Sequence, residues 1–240
     1  RDHRILGHGH YELMNITHRH DWNITPAEAI ALQQQMRGEL EFHAPLDLSA
    51  IKLVAGVDVS VKPNPDGQDW SQAAIAVLSF PDLQPVETVL ASMPTPFPYI
   101  PGLLSFREGP VLETAFAKLQ ATPDVFIFDG MGRAHPRRMG IAAHMGLWLQ
   151  RPTIGCGKTH LVGKYVDPPQ ERGAYSELTD RGEVIGVVLR TRAGVKPVYI
   201  SVGHLADLDT SIQLIMACTP KYRLPEPIRA AHNAAGQFTP

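Results

Sequence analysis

Apolar residues recur along this chain in two rhythms. From Ile51 to Val61 (IKLVAGVDVSV) β-branched residues fill both faces of an extended run, the pattern of a strand covered on both sides. Ala73–Phe80 and Val86–Met93 repeat it after turns rich in Pro, Asn, Asp and Gly, so the three predict an antiparallel meander. Helical spacing follows a Thr25-Pro26 start through Ile30, Leu32, Met36 and Leu40 as far as Pro45. It returns from Ser105 to about Gln120, over Met139–Leu149 and over Asp207–Ala217. Between these lie two short apolar strands, Pro123–Asp129 and Pro152–Cys156, and a hairpin pair, Val184–Arg190 with Pro197–Val202. Met93–Leu104 (MPTPFPYIPGLL) holds too much proline for a helix or a sheet interior and reads as a stiff loop. Lys221–Pro240 reads as a proline-punctuated tail.

A meander followed by alternating helices and strands predicts an α/β domain with one mixed sheet flanked by helices, spanning residues 26–240. Residues 1–25 show little periodicity and hold five of the eleven histidines (His3, His8, His10, His18 and His20), so they read as a flexible, solvated arm.

Composition narrows the picture by exclusion. A net charge of −2 gives the chain as a whole no electrostatic case for nucleic acid, so any such case must come from local clusters. No apolar run reaches the roughly 18 residues of a membrane span, and the N-terminus lacks a signal-peptide core. Cys156 and Cys218 sit far apart in apolar surroundings, which points to a reduced, buried pair and a cytoplasmic protein.

Three acids stand out by position: Asp58 and Asp129 at the ends of apolar strands, and Glu108 in the first turn of a helix. Acids at neighbouring strand tips repel one another unless a cation lies among them, and hard oxygen ligands suit Mg²⁺ or Mn²⁺. Each has a plainer reading. Ser105 and Glu108 spell a capping box, Asp129 before Gly130 can form a turn, and only Asp58 interrupts a run of valines at evident cost. Arg133, His135, Arg137 and Arg138 crowd the loop after Asp129, while Lys158, His160 and Lys164 follow the next strand. Together they form either a phosphate-facing rim or solvated loops. Pro98-Tyr99-Ile100-Pro101 is either a packed surface aromatic or a rigid wedge able to enter a base stack. His144, on an apolar helical face, reads as a core histidine.

Several blocks together resemble the endonuclease V family, the deoxyinosine-directed repair nucleases. They are GVDV at 56–59, PYIPGLLSFRE at 98–108, DGMGRAHPRRMGIAAH at 129–144, PTIGCGK at 152–158, GH at 203–204 and YRLPEP at 222–227. The resemblance covers about residues 28 to 235, in order. It implies a ribonuclease H-like fold and metal-dependent hydrolysis of the second phosphodiester bond 3′ to deoxyinosine, with Mg²⁺ as cofactor and Mn²⁺ as substitute. By matching motif, Asp58, Glu108 and Asp129 would hold the metal, with Lys158 and His232 completing the catalytic set. Pro98, Tyr99, Ile100 and Pro101 would form the DNA wedge. Gly102, Leu104, His135, Gly140 and Ile141 would line a pocket for the extruded base, and Arg137, Arg138 and Lys158 would meet phosphates. The implied partner of this expected monomer is deoxyinosine-containing DNA. The alternatives are an inosine-specific endoribonuclease on single-stranded RNA and a module that binds damaged DNA without cutting it. Two residues depart from the family pattern: Met131 replaces a histidine and Gly157 an alanine.

Overall fold

The computed structural model describes residues 14–240. Eight strands form one sheet in the order β3-β2-β1-β4-β5-β8-β7-β6. β1 (Leu53–Pro63), β2 (Asp69–Ser79) and β3 (Pro85–Pro94) make the expected antiparallel meander. β4 (Val125–Phe128) and β5 (Thr153–Gly157) then extend the sheet in parallel from β1. β7 (Glu183–Leu189) and β8 (Val198–His204) pair antiparallel, and β6 (Tyr175–Asp180), which has no clear sequence signal, adds the outer edge.

Alternation along the buried strands divides the core into two layers. Phe126 and Phe128 of β4 face α2 (Leu104–Phe116) and α3 (Ile141–Leu149), in one cluster with Phe116, Met145 and Trp148. Val125 and Ile127 face the other side, where Ile212 and Ile215 of α4 (Leu208–Ala217) and Ile228 of α5 (Glu226–Gly236) cover them. Cys156 and Cys218 lie in this second layer as free thiols, and burial raises the pKa of both.

Three expectations need correction. Lys221–Pro240 is not simply a tail. Pro225 caps α5 and Pro227 lies in its first turn, where proline's missing N–H costs nothing, so residues that read as breakers start a helix. α5 docks so closely on β1 that a Cβ at Gly56 would lie 1.9 Å from the Pro227 carbonyl oxygen. α1 (Pro26–Met36) has the Thr25–Glu28 capping box but passes into a 3-10 turn at Arg37–Glu39, where Gly38 lies, well before Pro45.

The N-terminal arm is the third. His3, His8 and His10 lie outside the described residues, but from Met14 onward the segment runs along the core, with Met14 buried and Ile16 and Trp22 packed against it while His18 stays exposed. Trp22 stacks on Trp148 at 4.8 Å and donates its indole N–H to Glu113 of α2. A Cβ at Gly109 would strike the Trp22 ring at 2.3 Å, so α2 carries glycine where the segment crosses it. Among the described residues no helix is long and apolar enough to cross a membrane.

Candidate active site

Strand register places the two aspartates. Val57 pairs with Phe128 in the parallel β1–β4 ladder and Asp129 N–H donates to the Val57 carbonyl, so Asp129, just past β4, lies beside Asp58, which falls midway along β1 rather than at the expected strand end. α5 brings His232 over them, with Nδ1 2.7 Å from Asp58 Oδ2. One ligand atom from each of Asp58, Asp129 and His232 falls within 4.8 Å of the other two. Lys158, just past β5, pairs with Asp129, and its Nζ lies 3.4 Å from His232 Nδ1.

Glu108 stands outside that close trio but within its field. It is half-buried in α2, and its pKa is raised well above normal by burial and then by the charges of Asp58 and Asp129. Burial, followed by Asp129, pushes Asp58 up to about 6. Carboxyl groups whose pKa is raised by neighbouring carboxylates mark a site with excess negative potential. Two carboxylates and an imidazole, backed by a third carboxylate, are a donor set that fits a hard to borderline divalent cation. The capping-box reading of Ser105 and Glu108 fails. Leu103 occupies the cap position without a side-chain bond, and Ser105 turns instead to His144, its Oγ 2.8 Å from Nδ1.

A cleft of about 400 Å³ adjoins the acids, with Asp129 and Lys158 in its wall. Gly102, Leu104, His135, Gly140 and Ile141 all line it, as do Tyr99, Ile100 and Pro101, whereas Pro98 does not. Tyr99 is 69% exposed at this cleft, which removes the reading of a packed surface aromatic.

One carbonyl anchors the loop that carries Tyr99. Gly102, at φ +82 where glycine is favoured, presents an oxygen that accepts from Gln33 Nε2 (3.0 Å), His135 Nε2 (3.0 Å) and an Arg137 guanidinium nitrogen (2.8 Å). Nδ1 of His135 accepts from the backbone N–H groups of Arg137 and Met139, so the ring is the neutral Nε2–H tautomer. Burial and then Arg137 lower its pKa to about 4. Gln33 also donates to Met139 O and accepts from Arg137 Nε, tying α1 to both walls of the cleft. Sequence reasoning missed Gln33. Its signal is a polar residue on the buried stripe of α1, between Ala29 and Met36.

The expected phosphate rim is only partly available. Arg138 pairs with Asp180 and Glu183 at 2.9 Å each, so its charge is neutralised locally. Arg137 braces Gly102, and Arg133 lies over the Phe42 ring near Glu183. Lys158 and His160 remain in the cleft wall. The two departures from the family pattern touch: a Cβ at Gly157 would lie 2.4 Å from the Met131 terminal methyl. The longer side chain at 131 takes the space that alanine at 157 would need.

Sheet order and the neighbouring carboxylates of Asp58, midway along β1, and Asp129, just past β4, define the class, a ribonuclease H-like domain with an acidic site on its central strands. The chain belongs to the Endonuclease V family, whose model matches residues 32–233. Endonuclease V of Nostoc sp. is 50% identical over 226 residues, which cover 92% of this chain and 99% of the relative. The crystal structure of Endonuclease V from Bacillus subtilis superposes with a TM-score of 0.89 at 34% identity, covering 93% of this chain and 96% of that one. Ciona intestinalis Endonuclease V, solved in complex with a 24mer DNA containing an inosine followed by a ribo-adenosine, superposes with a TM-score of 0.73 at 28% identity, covering 88% and 96%.

Proposed function

We propose that this protein is a metal-dependent DNA repair endonuclease that nicks a strand at the second phosphodiester bond 3′ to deoxyinosine, leaving 3′-hydroxyl and 5′-phosphate ends. The observation that carries it is the joining of the Asp58–Asp129–His232 cluster to a cleft with an exposed Tyr99 at its wall. Asp58, Asp129 and His232 would hold Mg²⁺, or Mn²⁺ in its place, with Glu108 adding negative charge behind them. Such a cation polarises a phosphate oxygen and makes water a better nucleophile. Lys158, already beside Asp129, faces the scissile phosphate and offsets charge that develops on it.

Selectivity begins with extrusion, because a weakly paired base leaves the stack at lower cost. Tyr99, held between Pro98 and the Gly102 anchor, fills the gap the base leaves. Gly102, Leu104, His135, Gly140 and Ile141 receive the base, largely through backbone groups.

The experiment is a nicking assay on a duplex with one deoxyinosine. Wild-type protein with Mg²⁺ should cut it, EDTA should stop the cut, and Asp129→Ala should be silent. Equal cutting by that variant would sink the assignment. A second reading, cleavage of inosine-containing RNA, draws support from the ribonucleotide beside the inosine in the Ciona complex. Matched deoxyinosine and inosine strands separate the two.

A further inference from the structure

The cleft wall beside Leu104 carries a polar chain that the proposed reaction does not use. Ser105 lines the cleft, and its buried Oγ lies 2.8 Å from His144 Nδ1. His144, fully buried in α3, places Nε2 2.7 Å from Nε2 of His20 in the N-terminal segment. His20 Nδ1 in turn lies 3.0 Å from the Asp21 carbonyl oxygen.

That carbonyl fixes every direction in the chain. It can only accept, so His20 carries its proton on Nδ1 and its Nε2 is a lone pair. Burial lowers the pKa of His20 and lowers that of His144 much further, which leaves each ring neutral with one proton. His144 must then protonate Nε2 to bond His20, and its Nδ1 becomes a lone pair. Ser105 donates its single proton to that nitrogen. What its Oγ can still offer the cleft is lone pairs.

We propose that Ser105 is a specificity-determining residue of the base pocket, its hydroxyl presented to the extruded purine as an acceptor because His144 and His20 hold its proton. This rests on reading the cleft as a base pocket. Deamination of adenine replaces the exocyclic amine with a carbonyl and puts a proton on N1. An acceptor of fixed polarity welcomes that N–H and opposes the lone pair on N1 of adenine. A freely rotating hydroxyl would serve either base. A site whose polar group is left unpaired by the wrong substrate discriminates more strongly than one that differs only in shape. His144 and His20 are positioning residues that act through Ser105, and the N-terminal segment becomes part of the pocket's chemistry.

Two measurements test this. Long-range proton–nitrogen correlation spectra of the ¹⁵N-labelled protein at neutral pH should show His144 protonated on Nε2 and His20 on Nδ1. A His144 proton on Nδ1 would overturn the proposal. Single-turnover nicking should then be compared on duplexes carrying deoxyinosine or deoxyadenosine at one position. Ser105→Ala should lower the inosine-to-adenine rate ratio roughly tenfold, about the worth of one hydrogen bond. Ser105→Thr, which keeps the hydroxyl, should restore most of it. His20→Leu, which frees His144 to take either tautomer, should lower the ratio by less than Ser105→Ala. If the wild type cuts both duplexes alike, the base-pocket reading fails and the proposal falls with it. Lesion-dependent wild-type cutting with an unchanged ratio in Ser105→Ala overturns the proposal alone.

Discussion

The two ends of the cleft are held by opposite physics. At the acid end, Asp58 and Glu108 have raised pKa values because burial and neighbouring carboxylates disfavour their charged forms. At the base end, polar groups are buried but paired: three donors converge on the Gly102 carbonyl, and His135 has a partner on both ring nitrogens. One end stores repulsion that a cation relieves, and the other is organised before any ligand arrives. Where a residue sits in this contrast determines whether removing it costs activity, stability or both.

The largest effect belongs to the acid end and touches activity alone. Asp129→Ala should reduce nicking by about a thousandfold or more, since it removes a proposed metal ligand and the partner of Lys158. Without metal the variant should melt no lower than wild type, because a repelling charge has gone. A clear drop in its metal-free melting temperature would break the contrast.

The pH dependence comes next. Asp58 has a folded pKa raised to about 6, above its unfolded value, so its contribution to metal-free stability is present in acid and lost as pH rises through about 6. Metal binding needs the ionised form, and added Mg²⁺ or Mn²⁺ should therefore raise the melting temperature more at pH 8 than at pH 5. Thermal melts at both pH values, with and without metal, check the sign.

At the base end, activity and stability should fall together. Gln33→Ala removes three hydrogen bonds made by a buried side chain to Gly102, Met139 and Arg137 and should cost about 1–3 kcal/mol, read by urea unfolding. Nicking should weaken as the wedge loop loses its anchor, while the metal-induced shift in melting temperature should persist. Tyr99 offers the smallest stability effect. Exposed as it is, Tyr99→Ala should change stability by less than about 0.5 kcal/mol yet slow nicking of deoxyinosine duplex.

The same contrast explains what could be read from the sequence. Asp58 and Asp129 were legible because a carboxylate that interrupts or ends an apolar run has few structural uses, and strand register then made them neighbours. The meander and the short strands after it were legible from their continuous apolar runs and the turns between them. The parts that close the site were harder to see. α5 was hidden by prolines that serve as a helix start, although it delivers His232. Gln33 and His20 act across 69 and 124 residues of separation, and a polar residue on a buried stripe does not name its distant partner. Arg138 looked like a phosphate ligand because its acidic partners lie on β6 and β7, one of which had no sequence signal.

The most direct measurement is end-mapping of the product from a duplex with one deoxyinosine, incubated with this protein and Mg²⁺. The account predicts a single cut at the second phosphodiester bond 3′ to the lesion, with 3′-hydroxyl and 5′-phosphate ends, and an undamaged duplex left intact. Cutting that ignores the lesion, or a break at the lesion itself, would contradict it.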